Sequence, residues 1–198
     1  MKVRHFNFLL MLIFAATSLA SCGGGGGAPG AGNTDKTEIL IQSVLLSTES
    51  DDIDVFQNPI ACDGEPEEPL TDANATMDIT ATAINQDPNF VSPFPANIES
   101  CYVIYTSSVI GAPIIEAKTI YPNCSFVDGS TSCTLDLLNI ARKIQWWDDV
   151  SSGKFAPAEY PTKYTVKYEC KYQNSYGKEG QLGGRMDIDL ADWLSCGG

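Results

Sequence analysis

Oxygen-bearing side chains alternate along residues 72–78, which read DANATMD. Their spacing matches the first half of a calcium loop, which binds the ion through carboxylate and amide oxygens. The glycine and the glutamate that complete an EF-hand loop are missing from the sixth and twelfth positions. The same alternation also describes the solvent-facing side of a β-strand. The oxygen-bearing residues are Asp72, Asn74, Thr76 and Asp78.

A second acidic region precedes this stretch and includes residues 51–54 and 63–68. Two acidic loops at one end of a β-sandwich would supply enough oxygen ligands for a calcium ion. Solvated loops are the favoured interpretation of the same residues, because acidic side chains are mostly exposed. Calcium is therefore the one candidate cofactor, with candidate ligands Asp51, Asp52, Asp54, Asp72 and Asn74.

Histidine occurs once, as His5, within the first twenty residues. The rest of the chain therefore lacks the histidine that Ser-His-Asp and Cys-His sites require. It also lacks imidazole ligands for zinc. Carboxylate pairs and Ser–Lys pairs remain open, but no local constellation points to either. The sequence predicts a protein that is not an enzyme.

Two adjacent tryptophans, Trp146 and Trp147, open an aromatic segment that continues to Tyr164. Neighbouring residues on a helix or strand cannot both face a core. An exposed aromatic ring would bind a sugar or a protein partner. We expect Trp147 to fill the core and Trp146 to cap its edge. The weak binding candidates of this segment are Trp146, Trp147 and Tyr160.

The first residues have the pattern of an export signal. Lys2 and Arg4 precede the apolar run 8–14, which is too short to span a membrane. The residues that follow, LASC at 19–22, match the Leu-small-small-Cys lipobox at every place and resemble that of bacterial lipoproteins. The resemblance implies cleavage before Cys22, with acyl chains such as palmitate on that cysteine. Residues 1–21 are then the signal peptide.

Residues 22–35 form a glycine-rich segment after the lipidated cysteine. This composition is typical of a flexible tether. Gly23 stands where an inner-membrane retention signal has aspartate, so the family resemblance implies the outer membrane. We expect one disulfide-stapled domain over residues 36–198, anchored in the membrane through the lipid on Cys22.

The formal net charge of the chain is −13. Loss of the two basic residues of the signal, Lys2 and Arg4, changes −13 to −15 in the mature protein. Such a surface repels nucleic acid and anionic headgroups. Nucleic acid is therefore not an expected partner, and another envelope protein is.

Six cysteines remain beside Cys22, and an even number in an exported chain predicts three disulfides. The pair Cys124 and Cys133 is favoured because a DGS turn between them would close a hairpin. The pair Cys101 and Cys170 would link two strand patterns. The pair that remains is Cys62 with Cys196.

Apolar and polar residues alternate in several segments, with period two. This pattern predicts antiparallel strands with one buried face. A single segment, 139–149, has helical spacing, with Ile140, Ile144 and Trp147 on one side. The predicted strands cover residues 38–47, 77–83, 100–106, 115–121, 131–138, 164–172 and 185–190.

About seven strands with one helix before the penultimate strand favour an all-β sandwich. The sequence Tyr168-Glu169-Cys170 is similar to the Tyr-x-Cys of a tyrosine corner. On this basis the domain resembles the immunoglobulin and fibronectin type III superfolds, and a jelly roll is the competing fold. The third predicted strand has no tryptophan and carries Cys101, a departure from the immunoglobulin pattern.

These features predict a non-catalytic interaction or structural accessory module held at the outer membrane. The first alternative is a carbohydrate-binding sandwich that uses the Trp146–Tyr164 segment. A calcium-dependent, adhesin-like module is the second.

Overall fold

The computed structural model describes residues 37–57, 69–85, 87 and 89–193. Within these residues the chain forms nine strands and one helix, α1 (Ile140–Ser151). No helix in the described part of the chain is long and apolar enough to cross a bilayer. The strands are β1 (Ile39–Thr48), β2 (Asp52–Asp54), β3 (Ala73–Ala83), β4 (Ala96–Thr106), β5 (Lys118–Ile120), β6 (Cys124–Phe126), β7 (Gly129–Leu138), β8 (Thr162–Gln173) and β9 (Glu179–Ala191).

Two sheets enclose the core. The smaller sheet has the order β1-β3-β7, and the larger has the order β2-β9-β8-β4-β5, with β6 paired to β4. All pairs are antiparallel except β2 with β9. The order β1-β3-β7 facing β9-β8-β4 is the immunoglobulin-like arrangement. The prediction of an all-β sandwich with a helix before the penultimate strand is confirmed.

Strand β8 shows why the period-two pattern predicted the sheet correctly. Val166 and Tyr168 are fully buried, whereas Lys167 and Glu169, which alternate with them, face solvent. The inward residues join one hydrophobic cluster to which both sheets contribute. Burial of each large apolar side chain stabilises the fold by about 1.5–3 kcal/mol. The alternation therefore determines which face of the strand lies against the core.

Three short strands mark the differences from the sequence prediction. Residues 115–121 were expected to be a strand, but only Lys118–Ile120 pair with β4. Strands β2 and β6 were not predicted, and each has three residues. A segment of three residues is too short to show a period-two pattern. Their pairing depends on the neighbouring strand and not on their own sequence.

Two of the predicted disulfides are formed. Cys101 and Cys170 lie directly opposite each other on β4 and β8, with Cα atoms 4.0 Å apart. Cys124 and Cys133 form the second bridge. The third predicted pair, Cys62 with Cys196, lies outside the described residues, as do Cys22 and the segments 1–21 and 22–35.

The hairpin expected between Cys124 and Cys133 is wrong. Asp128 lies in a bend, and Gly129, which begins β7, takes a φ of 102° that favours glycine. However, β6 pairs with β4 in the larger sheet, whereas β7 pairs with β3 in the smaller one. The disulfide therefore links the two sheets at their edge and does not close a hairpin.

The resemblance of Tyr168 to a tyrosine corner is limited to sequence. A tyrosine corner bonds back to the backbone a few residues upstream, near the start of its strand. Here Tyr168 lies in the middle of β8, and its hydroxyl donates to the Asp136 carbonyl of β7 at 3.0 Å. The Tyr105 hydroxyl donates to the neighbouring Leu137 carbonyl. Two tyrosines of the larger sheet thus bond to the smaller one across the core.

Candidate functional site

Helix α1 connects the two sheets and begins at two polar caps. The side chain of Asn139 accepts a hydrogen bond from the Arg142 amide at 3.0 Å. The Asp72 carboxylate, from the segment before β3, accepts from the Ile140 amide at 2.8 Å. A carboxylate at a helix N-terminus is stabilised by the unpaired amides and the helix dipole. Asp72 therefore serves the start of α1.

One side of α1 packs into the core through Trp146. Its ring is 2% exposed, and its Nε1–H donates to the Tyr164 hydroxyl at 2.8 Å. That hydroxyl in turn donates to the Pro113 carbonyl at 2.7 Å. The expectation that Trp147 fills the core and Trp146 caps its edge is therefore wrong, and the two residues exchange roles. A buried indole needs a partner for its N–H, and Tyr164 supplies it.

The other side of α1 is open to solvent. Ile140 and Ile144, which the helical spacing places on one side with Trp147, are 37% and 48% exposed. Trp147 is partly buried and stacks on Phe56, with ring centroids 4.7 Å apart. These side chains border a cleft of about 290 Å³ that Val55 and Leu70 complete. We name this site the α1 cleft.

The buried Lys143 of α1 interacts electrostatically with two of the candidate calcium ligands. Burial lowers the pKa of Lys143, while the carboxylates of Asp54 and Asp72 act in the opposite direction. The positive charge of Lys143 therefore acts on two acidic side chains from separate segments, Asp54 of β2 and Asp72 before β3. Within the described ranges, no cluster of three or more acidic, cysteine or histidine side chains is placed to hold a metal ion.

The other candidate calcium ligands do not converge on this pair. Asp51 and Asp52 are exposed, and the Asp51 carbonyl accepts from the Asp189 amide at 2.8 Å. Asn74 is exposed on β3, where its carbonyl accepts from the Thr48 hydroxyl at 3.1 Å. Of the five candidate ligands, only Asp54 and Asp72 act on the pKa of Lys143.

The three aromatic residues predicted to bind a ligand, Trp146, Trp147 and Tyr160, do not form one site. Tyr160 is 52% exposed and its hydroxyl accepts from the Asp192 amide, at the end of β9. Trp146 is in the core and Trp147 borders the α1 cleft. Sequence reasoning missed Phe56 as the partner of Trp147. No local signal could have found it, because the two residues are far apart in the chain.

Comparison with known proteins gives little information about this chain. No family model and no curated protein matches it. One solved structure, an X-ray structure titled Northeast Structural Genomics Consortium target SoR45, is 12% identical and covers 82% of this chain and 95% of its own, with a TM-score of 0.29. A likeness at that TM-score carries no argument about fold or function.

Proposed function

We propose that this chain is a lipid-anchored, non-catalytic interaction module of the bacterial outer membrane, which binds another envelope protein at the α1 cleft. The observation that carries the proposal is the open apolar side of α1. A helix side that exposes two isoleucines beside a stacked aromatic pair is typical of a docking site. The lipobox at residues 19–22 supports the anchor, and disulfides are typical of exported proteins.

The negative charge around the α1 cleft indicates which kind of protein partner would bind there. The α1 cleft has an apolar floor, Asp148 lies on its border, and Asp54 and Asp72 lie close to the same helix. The chain as a whole is strongly acidic. A complementary segment would carry apolar residues flanked by lysine or arginine. The proposed partner is therefore a protein that presents an amphipathic, basic segment.

Site-specific photocrosslinking in intact cells tests this proposal. A photoreactive residue at Ile144 should give one discrete protein adduct, and the same residue at Leu45, 60% exposed on β1, should give none. Trp147→Ala should remove the adduct without unfolding the domain. Mass spectrometry should locate the crosslink in a basic, apolar segment. Equal adducts from both positions, or a crosslinked segment rich in acidic residues, would contradict the proposal.

Intact-mass analysis of envelope material tests the anchor separately. The mature chain should begin at Cys22 with acyl chains attached, and its six other cysteines should form three disulfides, including Cys62 with Cys196. Cys22→Ser should release the protein from the membrane. An unmodified Cys22 in the wild-type protein would contradict the predicted location, whatever the crosslinking shows.

A carbohydrate-binding sandwich is the alternative, and the stacked Trp147 is the observation that favours it. Trp146 and Tyr164, in the segment first expected to bind sugar, are buried. A sugar at this site would therefore have to contact Trp147 alone or with Phe56. Titration with neutral glycans should then change tryptophan fluorescence in the wild-type protein and not in Trp147→Ala.

A further inference from the structure

A second concave surface lies on the solvent face of the larger sheet, formed by different elements from the α1 cleft. It is a groove of about 280 Å³ across β4, β8 and β9. Pairing places Tyr102 of β4 opposite Glu169 of β8, which in turn lies opposite Gly183 of β9. Lys167, Lys171 and Gln181 border the same groove. We name it the sheet groove.

Gly183 creates the concavity. A Cβ atom at this position would lie 2.2 Å from the carbonyl oxygen of Tyr168 on the neighbouring strand. Position 183, the cross-strand neighbour of Glu169, therefore cannot carry a side chain, and the surface beside Tyr102 and Glu169 stays open. Glycine inside a strand often marks a place where a ligand or another backbone approaches closely.

Two lysines, Lys167 and Lys171, border the groove, although the chain as a whole is acidic. Lys167 of β8 lies directly opposite Arg185 of β9, and like charges in that position destabilise a sheet. Lys167 pairs with Glu169 at 2.6 Å. Among the described residues, Lys171 and Arg185 form no ion pair. Of the two lysines that border the groove, Lys171 is therefore the one that forms no ion pair with another described residue.

The remaining groups have the chemistry of a sugar site. Tyr102 is 46% exposed and offers an aromatic surface beside the cations. Glu169 and Gln181 supply acceptors and a donor for hydroxyl groups. The small volume suits one sugar unit, near the lower limit of ligand pockets. We propose that the sheet groove binds a single carboxylate-bearing sugar residue, with Lys171 holding the carboxylate.

A single acidic unit fits better than a long polyanion or an acidic peptide. The net charge of −13 repels an extended polyanion, whereas one carboxylate beside Lys171 experiences chiefly the charge of that lysine. An acidic peptide would place further carboxylates near Glu169 and leave the hydroxyl-binding groups unused. This inference does not depend on the partner of the α1 cleft.

Amide NMR of the full mature chain tests it with matched probes. Methyl glucuronide should shift resonances of residues 167–171 and of Gly183, and added salt should weaken the effect. Methyl glucoside, which lacks the carboxylate, should bind about tenfold more weakly. Equal binding of the two sugars would overturn the proposal. So would shifts elsewhere, or no shifts at about 10 mM sugar, well above a weak millimolar dissociation constant.

Two double variants distinguish binding by the groove lysines from an effect of the net charge of the protein. Lys167→Gln with Lys171→Gln should weaken glucuronide binding by about tenfold. Lys163→Gln with Lys178→Gln removes the same charge outside the groove and should leave binding unchanged. Equal losses in the two double variants would overturn the proposal, as would tighter binding of a tetraglutamate peptide than of the sugar. Crosslinking at Ile144 should be unaffected by either pair.

Discussion

The two sides of helix α1 carry adjacent tryptophans with opposite environments. Trp146 is 2% exposed and hydrogen-bonded inside the core, whereas Trp147 borders an open cleft and stacks on Phe56. Both sides have helical spacing, one through Lys143, Trp146 and Val150 and the other through Ile140, Ile144 and Trp147. The side with a lysine is the buried one. Helical periodicity therefore identified the helix without deciding which side packs.

The largest effect is expected from Trp146→Ala. Removal of a fully buried indole should lower the free energy of unfolding by about 3–5 kcal/mol. Trp147→Ala should lower it by about 1 kcal/mol, the size of an aromatic pair contact. Denaturant unfolding of both variants measures the difference. Equal losses would show that the two sides of α1 do not differ in packing.

The substitution Tyr164→Phe measures how much the hydrogen bonds on the buried side of α1 contribute to stability. It removes the hydroxyl that accepts from the Trp146 indole and donates to the Pro113 carbonyl. The unpaired groups should cost about 1–3 kcal/mol in the free energy of unfolding. Tyr121→Phe is the matched control, because Tyr121 is 79% exposed and its loss should have almost no effect. A Tyr164→Phe protein as stable as wild type would mean that this hydrogen-bond chain adds nothing to packing.

Alkaline pH should destabilise the buried side. Burial raises the pKa of Tyr164 and of Tyr105 to about 12, above the value near 10 of an unfolded chain. The folded state keeps both phenols neutral, so their contribution to stability is complete below about pH 10 and is lost as the pH rises through the folded pKa near 12. Tyrosinate absorbance should increase together with unfolding. Ionisation of all tyrosines near pH 10 in the folded protein would contradict this.

Calcium is expected to have the smallest effect. The positive charge of Lys143 acts on both Asp54 and Asp72, so millimolar calcium or a chelator should leave the melting temperature of the wild type unchanged. Lys143→Met removes that charge and should be the variant in which any calcium response appears, with Lys163→Met as the surface control. A higher wild-type melting temperature in calcium would revive the calcium site predicted from the sequence.

Long strands were predictable because one residue in two had to be apolar. Residues 164–172 lie within β8 and residues 77–83 within β3, and their inward and outward sides are as the alternation indicated. Two disulfide pairs were also predicted correctly, although the hairpin used to justify one of them does not form. Short strands such as β2 were missed, because its pairing requires the parallel strand β9, far along the chain.

The candidate sites were much less predictable than the fold. The α1 cleft needs Phe56 beside Trp147, and the sheet groove needs Tyr102, Glu169 and Gly183 in one row across three strands. Each set comes from separate segments, so no local motif records it. The sequence shows that acidic residues are abundant. Which of them interact with Lys143 depends on where α1 packs.

The amino-acid sequence alone determined the β-sandwich class, and it predicts export and a lipid anchor on Cys22. Both inferences rest on local order, since a strand period and a lipobox need no distant contact. Only the tertiary structure decided which side of α1 is buried, which sheets the Cys124–Cys133 bridge joins and where the lysines gather. Those outcomes depend on packing between segments far apart in the chain, where the area buried and the partners available outweigh local pattern.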